Sequence, residues 1–82
     1  LTNPNYNPKI YVQAGAFVKK HRAVVLKYLL EKYGLTRVTP ATVGEQLFYR
    51  VQIGPISSVI ESDRILKKVI SKGYTNAKVI VN

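Results

Sequence analysis

Two similar stretches decide the fold of this 82-residue chain: "YVQAGAF" at residues 11–17 and "RVQIGPI" at residues 50–56. Both contain Val-Gln-x-Gly, and a shift of 39 residues superimposes one on the other. The same shift aligns a Gly-x-Thr triplet at residues 34–36 with a second one at residues 73–75. The chain is therefore predicted to consist of two similar halves, with the glutamine of each stretch at an equivalent position.

Four segments have the residue alternation or composition that is typical of β-strands: residues 10–16, 36–42, 47–53 and 76–81. Pro40 cannot donate to a central ladder, so the strand at 36–42 is predicted to lie at an edge of the sheet. Gly54 and Pro55 are expected to end the third strand. In the first strand, strict alternation places on one face Ile10, Val12, Ala14 and Ala16, and on the other Tyr11, Gln13 and Gly15.

Two segments have the spacing of amphipathic helices. The first is predicted over residues 19–33 and ends before Gly34; its apolar face is expected to contain Leu26, Leu29, Leu30 and Tyr33. The second opens with a capping box formed by Ser58 and Glu61 and stops at Gly73. Its predicted apolar residues are Leu66, Val69 and Ile70.

The resulting order, β-α-β-β-α-β, predicts an α+β domain with ferredoxin-like (RNP-like) topology. Each half is one βαβ unit, so the sheet has four antiparallel strands, both helices cover one face, and the two Val-Gln-x-Gly strands form the central pair. Residues 10–82 are expected to be this folded domain. Residues 1–9, which are rich in Asn and Pro, are expected to be a linker from an upstream region.

One face of this sheet is predicted to be left uncovered. The helices are expected to cover Val12, Ala14, Val51, Ile53, Val79 and Val81. The opposite face, called the open face below, is expected to carry Tyr11, Gln13, Phe48, Arg50, Gln52, Lys78 and Ile80, with Arg37 and Thr39 from the edge strand. Antiparallel sheets often have one solvated face. However, planar apolar rings beside amides and arginine favour a ligand-binding platform.

Composition argues against catalysis. The net charge of +9 favours a polyanionic partner, although most of the cations fall on helices where solvated charge is ordinary. The chain has no Cys, its only histidine is His21 at a helix start, and its four carboxylates form no convincing pair. Gly15 and Gly54 precede helices without a phosphate-binding motif. No cofactor or metal is expected, and no apolar run is long enough for a membrane span.

The combination of "YVQAGAF", a helix, "FYRVQIGPI" and a helix ending in "KGYTNAKV" resembles the SPOR domain family over about residues 10–82. The second half is also similar to the C-terminal SPOR domains of the rare lipoprotein A family of lytic transglycosylases. The resemblance implies a non-catalytic, monomeric domain of the bacterial cell envelope that binds peptidoglycan without inserting into a membrane. Its preferred ligand would be denuded glycan strands, which lack stem peptides. It would thereby bring a parent protein, such as a lipoprotein tethered to the outer membrane, to the periplasmic cell wall at the septum.

The family's glycan-contacting positions correspond here to Gln13, Ala16, Phe48, Arg50 and Lys78. Ala16 stands where serine is frequent, Phe48 where tryptophan is frequent, and Lys78 where an apolar residue is frequent. A denuded strand exposes a lactyl carboxylate on each N-acetylmuramic acid, with which Arg50, Lys78 and Arg37 are expected to pair. Phe48 and Tyr11 are expected to lie against sugar rings, and Gln13 and Gln52 to meet N-acetyl groups.

Two other functions are compatible with the same topology. An RNA-recognition motif would place aromatic residues on its first and third strands, but "LFYRVQIG" does not match the RNP1 pattern. A dimerisation or protein-interaction domain would use an apolar patch, for which Tyr11 and Ile80 are candidates.

Overall fold

The structure, a computed structural model, describes residues 8–82. It contains strands β1 (Ile10–Phe17), β2 (Thr36–Val43), β3 (Gln46–Ile56) and β4 (Lys78–Val81), and helices α1 (Lys20–Leu30) and α2 (Val59–Ser71). A single 3₁₀ turn, Glu31–Tyr33, follows α1. The strands form one antiparallel sheet in the order β2-β3-β1-β4. The predicted β-α-β-β-α-β order, the central pair and the edge position of the Pro40 strand are therefore confirmed.

The hydrophobic core lies between the sheet and both helices. Its sheet side contains Val12, Ala14, Val51 and Ile53, as predicted. Its helix side contains Ala23, Leu26 and Leu30 from α1 and Ile65 and Val69 from α2. Since both helices contribute to one cluster with these strand residues, they cover the same face of the sheet. Val81, also expected on this face, is exposed because it lies at the end of the short edge strand β4.

The apolar faces of the helices differ in part from the prediction. Leu29 is 55% exposed, because the buried residues of α1 follow the spacing Ala23, Leu26, Leu30 instead. In α2 Ile70 points outward, whereas Ser62 and Ile65 are buried. Ser58 caps α2 as expected: its hydroxyl oxygen accepts a hydrogen bond from the backbone N–H of Glu61 at 3.1 Å.

Two β-bulges distort the central pair. Gly54 and Pro55 lie opposite the single residue Tyr11, so β3 continues to Ile56 and does not end at Gly54 as predicted. The second bulge is in β1, where Ala14 is the extra residue between Gln13, paired with Gln52, and Gly15, paired with Val51. An extra residue reverses the alternation of everything after it.

The Ala14 bulge corrects the placement of Ala16. Strict alternation assigned Ala16 to the helix-covered face, and this is wrong, because Ala16 pairs with Arg50 on the open side. The next residue, Phe17, pairs with Tyr49, and both of these rings pack against the core. Ala16 thus joins the face on which the family resemblance places it.

The predicted linker falls mostly on residues 1–7, outside the described residues. Lys9, also assigned to the linker, exchanges two backbone hydrogen bonds with Asn82, which extends the β1–β4 ladder by one residue pair. Within the described residues, no helix has both the length and the apolarity to cross a membrane.

Candidate functional site

The open face is organised in rows of residues that pair across the strands. Phe48 lies beside Ala41, and Arg50 lies between Thr39 and Ala16. The next row runs across all four strands: Arg37, Gln52, Gln13 and Lys78. Beyond it, Tyr11 pairs with Ile80. The structure therefore brings together on one face all seven residues predicted as glycan contacts, including both glutamines side by side.

Three residues of this row, Arg37, Gln52 and Gln13, are joined by a continuous chain of hydrogen bonds. Arg37 donates from Nε and Nη2 to Gln52 Oε1, at 3.2 and 3.0 Å. Gln52 in turn donates from Nε2 to Gln13 Oε1, at 3.1 Å. The Arg37 guanidinium also lies over the Tyr11 ring, 4.1 Å from its centroid, in cation–π contact.

This chain of contacts makes two of the predicted site residues inaccessible. Gln52 is 1% exposed and Tyr11 is 3% exposed, so the expectation that both present a free surface is wrong. Arg37 extends from the edge strand over one side of the Tyr11 ring. The ring also packs closely against Gly54, which has no side chain and belongs to the bulge opposite Tyr11. Their roles as direct glycan contacts remain untested predictions.

The Arg50 row contains polar atoms without partners. Thr39 Oγ1 and Arg50 Nε are both buried, and neither has a hydrogen-bond partner within the described residues. Buried polar groups normally have partners, so these two atoms are exceptions to the usual pattern. Phe48, half-buried on the same strand two residues away, supplies an apolar ring next to it.

A groove of about 510 Å³ adjoins the outer end of this face. It lies between residues 13–17 of β1 and the loop of residues 73–76 that connects α2 to β4. Because β4 begins at Lys78, paired with Gln13, the part of β1 beyond Gln13 has no strand beside it on this side. Gln13, Ala16 and Lys78 line the groove, together with the polar loop residues Thr75 and Asn76.

The open face is positive. Arg37, Arg50 and Lys78 are on it, whereas the carboxylates lie on the helices, the 3₁₀ turn or, for Glu45, in the β2–β3 turn. The two ion pairs found within residues 8–82 are both remote: Lys27 with Glu31, whose hydrogen bond raises the pKa of the lysine, and Arg64 with Glu61 at 3.7 Å. No cluster of potential metal ligands occurs in this described part. The arrangement suits the binding of an anion.

Sequence reasoning missed part of this site. Thr39 was predicted only as an edge-strand neighbour. Arg37 was expected to pair with a ligand carboxylate, and its hydrogen bonds to Gln52 were not predicted. The loop residues Thr75 and Asn76 were not predicted at all. A signal for Arg37 exists in the sequence, because its place on the edge strand puts a cation beside the central glutamine once the register is known. No comparable signal identifies the loop.

Fold and site together define an α+β domain of ferredoxin-like topology with an uncovered, cationic sheet face. The family model for the SPOR domain matches residues 6–80, which is most of the chain. The chain belongs to the SPOR domain family. No curated protein matches it in sequence.

Two solved structures are similar to this one. The crystal structure of the RlpA SPOR domain from Pseudomonas aeruginosa has a TM-score of 0.78 and 25% sequence identity, over 87% of this chain and 96% of that one. The solution structure of the peptidoglycan binding domain of the B. subtilis cell wall lytic enzyme CwlC has a TM-score of 0.65 and 28% identity, over 100% of this chain and 99% of that one.

Proposed function

We propose that this domain binds peptidoglycan without catalysing a reaction, and that it recognises glycan strands lacking stem peptides through the open face. Membership of the SPOR family and similarity to a peptidoglycan binding domain support peptidoglycan as the ligand. The observation that carries the site is Arg50: a half-buried cation between Thr39 and Ala16, on a sheet face without carboxylates.

The denuded state supplies the chemistry that this face lacks. Removing the stem peptide leaves a free lactyl carboxylate on each N-acetylmuramic acid, and a carboxylate is the acceptor that a guanidinium binds best. Arg50 and Lys78 bind such carboxylates, while Phe48 packs against a sugar face. An intact stem peptide converts the lactyl carboxylate into an amide, which removes its charge, and adds bulk beside Arg50. The domain therefore distinguishes denuded from peptide-bearing strands by steric exclusion as well as by attraction.

The alternatives have less support from the geometry. RNA binding needs aromatic rings on both central strands, but Tyr11 is covered by Arg37, which leaves Phe48 as the ring available for stacking. The apolar patch proposed for a dimer loses Tyr11 for the same reason. We therefore propose a monomer that binds glycan and no nucleic acid.

The proposal extends to the cellular role. A domain that binds denuded strands gathers where peptides are being removed, and so it directs a parent protein to the septal cell wall in the periplasm. A fluorescent fusion of the domain exported to the periplasm is expected to form septal bands, and an Arg50→Ala fusion to stay diffuse. Septal bands of equal intensity with both fusions would contradict this role. A lipoprotein parent of the rare lipoprotein A type remains part of the proposal.

The experiment is co-sedimentation with purified sacculi, untreated and amidase-treated. Binding is expected to rise after amidase treatment and to fall in the Arg50→Ala variant. Arg22→Ala is the matched control, because Arg22 is exposed on α1, at the covered side of the sheet, and its loss changes the net charge equally. Equal loss in both variants would show that charge alone drives binding and would overturn the proposed site.

A further inference from the structure

The orientation of the Gln13 amide is set by two neighbours in its row, Gln52 and Arg37. Arginine has only donors, so the atom of Gln52 that receives two hydrogen bonds from Arg37 must be its oxygen. The nitrogen of the same amide then points toward Gln13, at 3.1 Å. A nitrogen that donates requires an oxygen opposite it, so Gln13 Oε1 faces inward and Gln13 Nε2 faces outward.

This orientation gives the end of the row a single hydrogen-bonding character. Within residues 8–82 no atom accepts from Gln13 Nε2, and the neighbour across the strand is Lys78, whose ammonium group also only donates. Both residues line the groove described above. A ligand at this position therefore meets donors and no acceptor from these two side chains.

The anchoring residues are held firmly. Gln52 is 1% exposed, and reversing its amide would place an N–H2 group against the Arg37 guanidinium in a buried environment. Arg37 itself is fixed by its second contact, over the buried Tyr11 ring. The direction of the hydrogen bonds is thus set by Arg37 on β2, at the opposite edge of the sheet from Lys78 on β4.

We propose that Arg37 and Gln52 are positioning residues that turn Gln13 into a dedicated donor, so that this subsite accepts only a hydrogen-bond acceptor such as a carboxylate or an acetyl carbonyl oxygen. The inference rests on the proposed function for the identity of the ligand. It also revises the expected roles of both residues, since neither needs to touch the glycan.

The variant Gln52→Glu inverts the chain without changing its shape. A carboxylate at position 52 accepts from Arg37 and also from Gln13, which must then turn its Nε2 inward and its Oε1 outward. Gln46→Glu is the control, because Gln46 lies at the exposed start of β3 and its side chain donates to the Leu47 carbonyl, away from the row of Gln13 and Gln52. Its change lowers the net charge equally.

The first readout is proton exchange of the Gln13 carboxamide, measured by NMR on the free protein. Exchange is expected to be fast in the wild type and in Gln46→Glu, and slow in Gln52→Glu. In Arg37→Met, which removes the anchor and keeps a stem over Tyr11, both orientations become populated and intermediate exchange is expected. Slow exchange in the wild type would overturn the inference, and so would equal exchange rates in the wild type, Gln52→Glu and Arg37→Met. Both results hold whether or not the domain binds glycan.

The second readout is affinity for amidase-treated sacculi at two salt concentrations. Gln52→Glu is expected to bind about tenfold more weakly than the wild type, and Arg37→Met about twofold, in proportion to the competent orientation. Repulsion by the new carboxylate would shrink at high salt, whereas a misdirected amide keeps the same ratio. If the wild type binds and Gln52→Glu binds equally well, this inference is overturned and the proposed function stands. If the wild type does not bind, the proposed function is overturned, and the exchange data alone decide the orientation of the Gln13 amide.

Discussion

Replacing Gly54 by alanine tests how the open face is built. Gly54 has a φ of +139°, and a Cβ there would lie 2.8 Å from the Ile10 carbonyl oxygen and 2.8 Å from Tyr11 Cδ1. The backbone conformation costs roughly 1–3 kcal/mol for a residue with a side chain. Displacing a packed ring and strand adds about 1–3 kcal/mol. The free energy of unfolding is therefore expected to fall by about 2–6 kcal/mol.

A loss of this size is large for a domain whose total stability is about 5–15 kcal/mol. At roughly 4–8 °C per kcal/mol for a chain of this length, Tm is expected to fall by at least about 8 °C. Thermal and urea unfolding followed by circular dichroism measure it. Gly73→Ala is the matched control, because its φ is +106° and no described atom lies within 4 Å of the added Cβ.

The control isolates the clash from the backbone strain. Gly73→Ala is expected to lose only the conformational part, so Gly54→Ala should be the less stable variant by about 1–3 kcal/mol. Equal losses in the two variants would refute the close packing of Tyr11 on the bulge. A Gly54→Ala variant as stable as the wild type would refute the strained conformation as well.

Three further substitutions test the core, a helix cap and the site. Leu30→Ala is expected to lower the free energy of unfolding by about 2–5 kcal/mol, because Leu30 is 1% exposed, whereas Leu29→Ala should change it little. Ser58→Ala is expected to cost about 1 kcal/mol through loss of the α2 cap, and Ser58→Asn should restore most of it. Phe48→Ala is expected to weaken sugar binding several-fold and to leave Tm nearly unchanged, since Phe48 lies outside the core.

Each of these has a clear contradicting result. Similar losses for Leu29→Ala and Leu30→Ala in urea unfolding would contradict the buried stripe of α1. Equal stability of Ser58→Ala and wild type in the same assay would show that the cap is dispensable. A Phe48→Ala variant that pellets with amidase-treated sacculi as well as wild type would remove Phe48 from the glycan site.

The repeat in the sequence predicted most of the architecture. Because the two Val-Gln-x-Gly strands are equivalent in two βαβ halves, their pairing at the centre of the sheet followed from the order of elements, and the register puts Gln13 opposite Gln52. Pro40 predicted an edge strand for a physical reason, the missing N–H, and β2 lies at an edge.

The bulges could not be predicted from alternation. An alternating pattern assumes one residue per pleat, and the extra Ala14 breaks this assumption. The neighbouring Gly15 is a residue type found at bulges, but glycine also occurs where strands end, so it does not by itself predict the extra residue. Ala16 was consequently assigned to the wrong face by periodicity, although the family resemblance placed it at the site. The Gly54–Pro55 bulge was similarly interpreted as a strand end, since glycine and proline usually terminate strands.

The sequence also could not predict which residues of the open face are exposed to solvent. Periodicity assigns a residue to a face but does not say what lies across it, and Arg37 reaches over from the edge strand to contact both Tyr11 and Gln52. Two of the seven predicted site residues, Tyr11 and Gln52, are thereby buried. The exposed or half-buried members of the predicted set are Gln13, Ala16, Phe48, Arg50 and Lys78.

The most direct measurement of the central claim is an NMR titration of the domain with a peptide-free tetrasaccharide of alternating N-acetylglucosamine and N-acetylmuramic acid, beside the same tetrasaccharide carrying stem peptides. Binding of the peptide-free ligand is expected to shift the backbone amides of Gln13, Ala16, Arg50 and Lys78, and to leave the outer faces of α1 and α2 unchanged. The peptide-bearing ligand is expected to cause much smaller shifts. Shifts confined to the helices, or equal shifts with both ligands, would contradict recognition of denuded glycan by the open face.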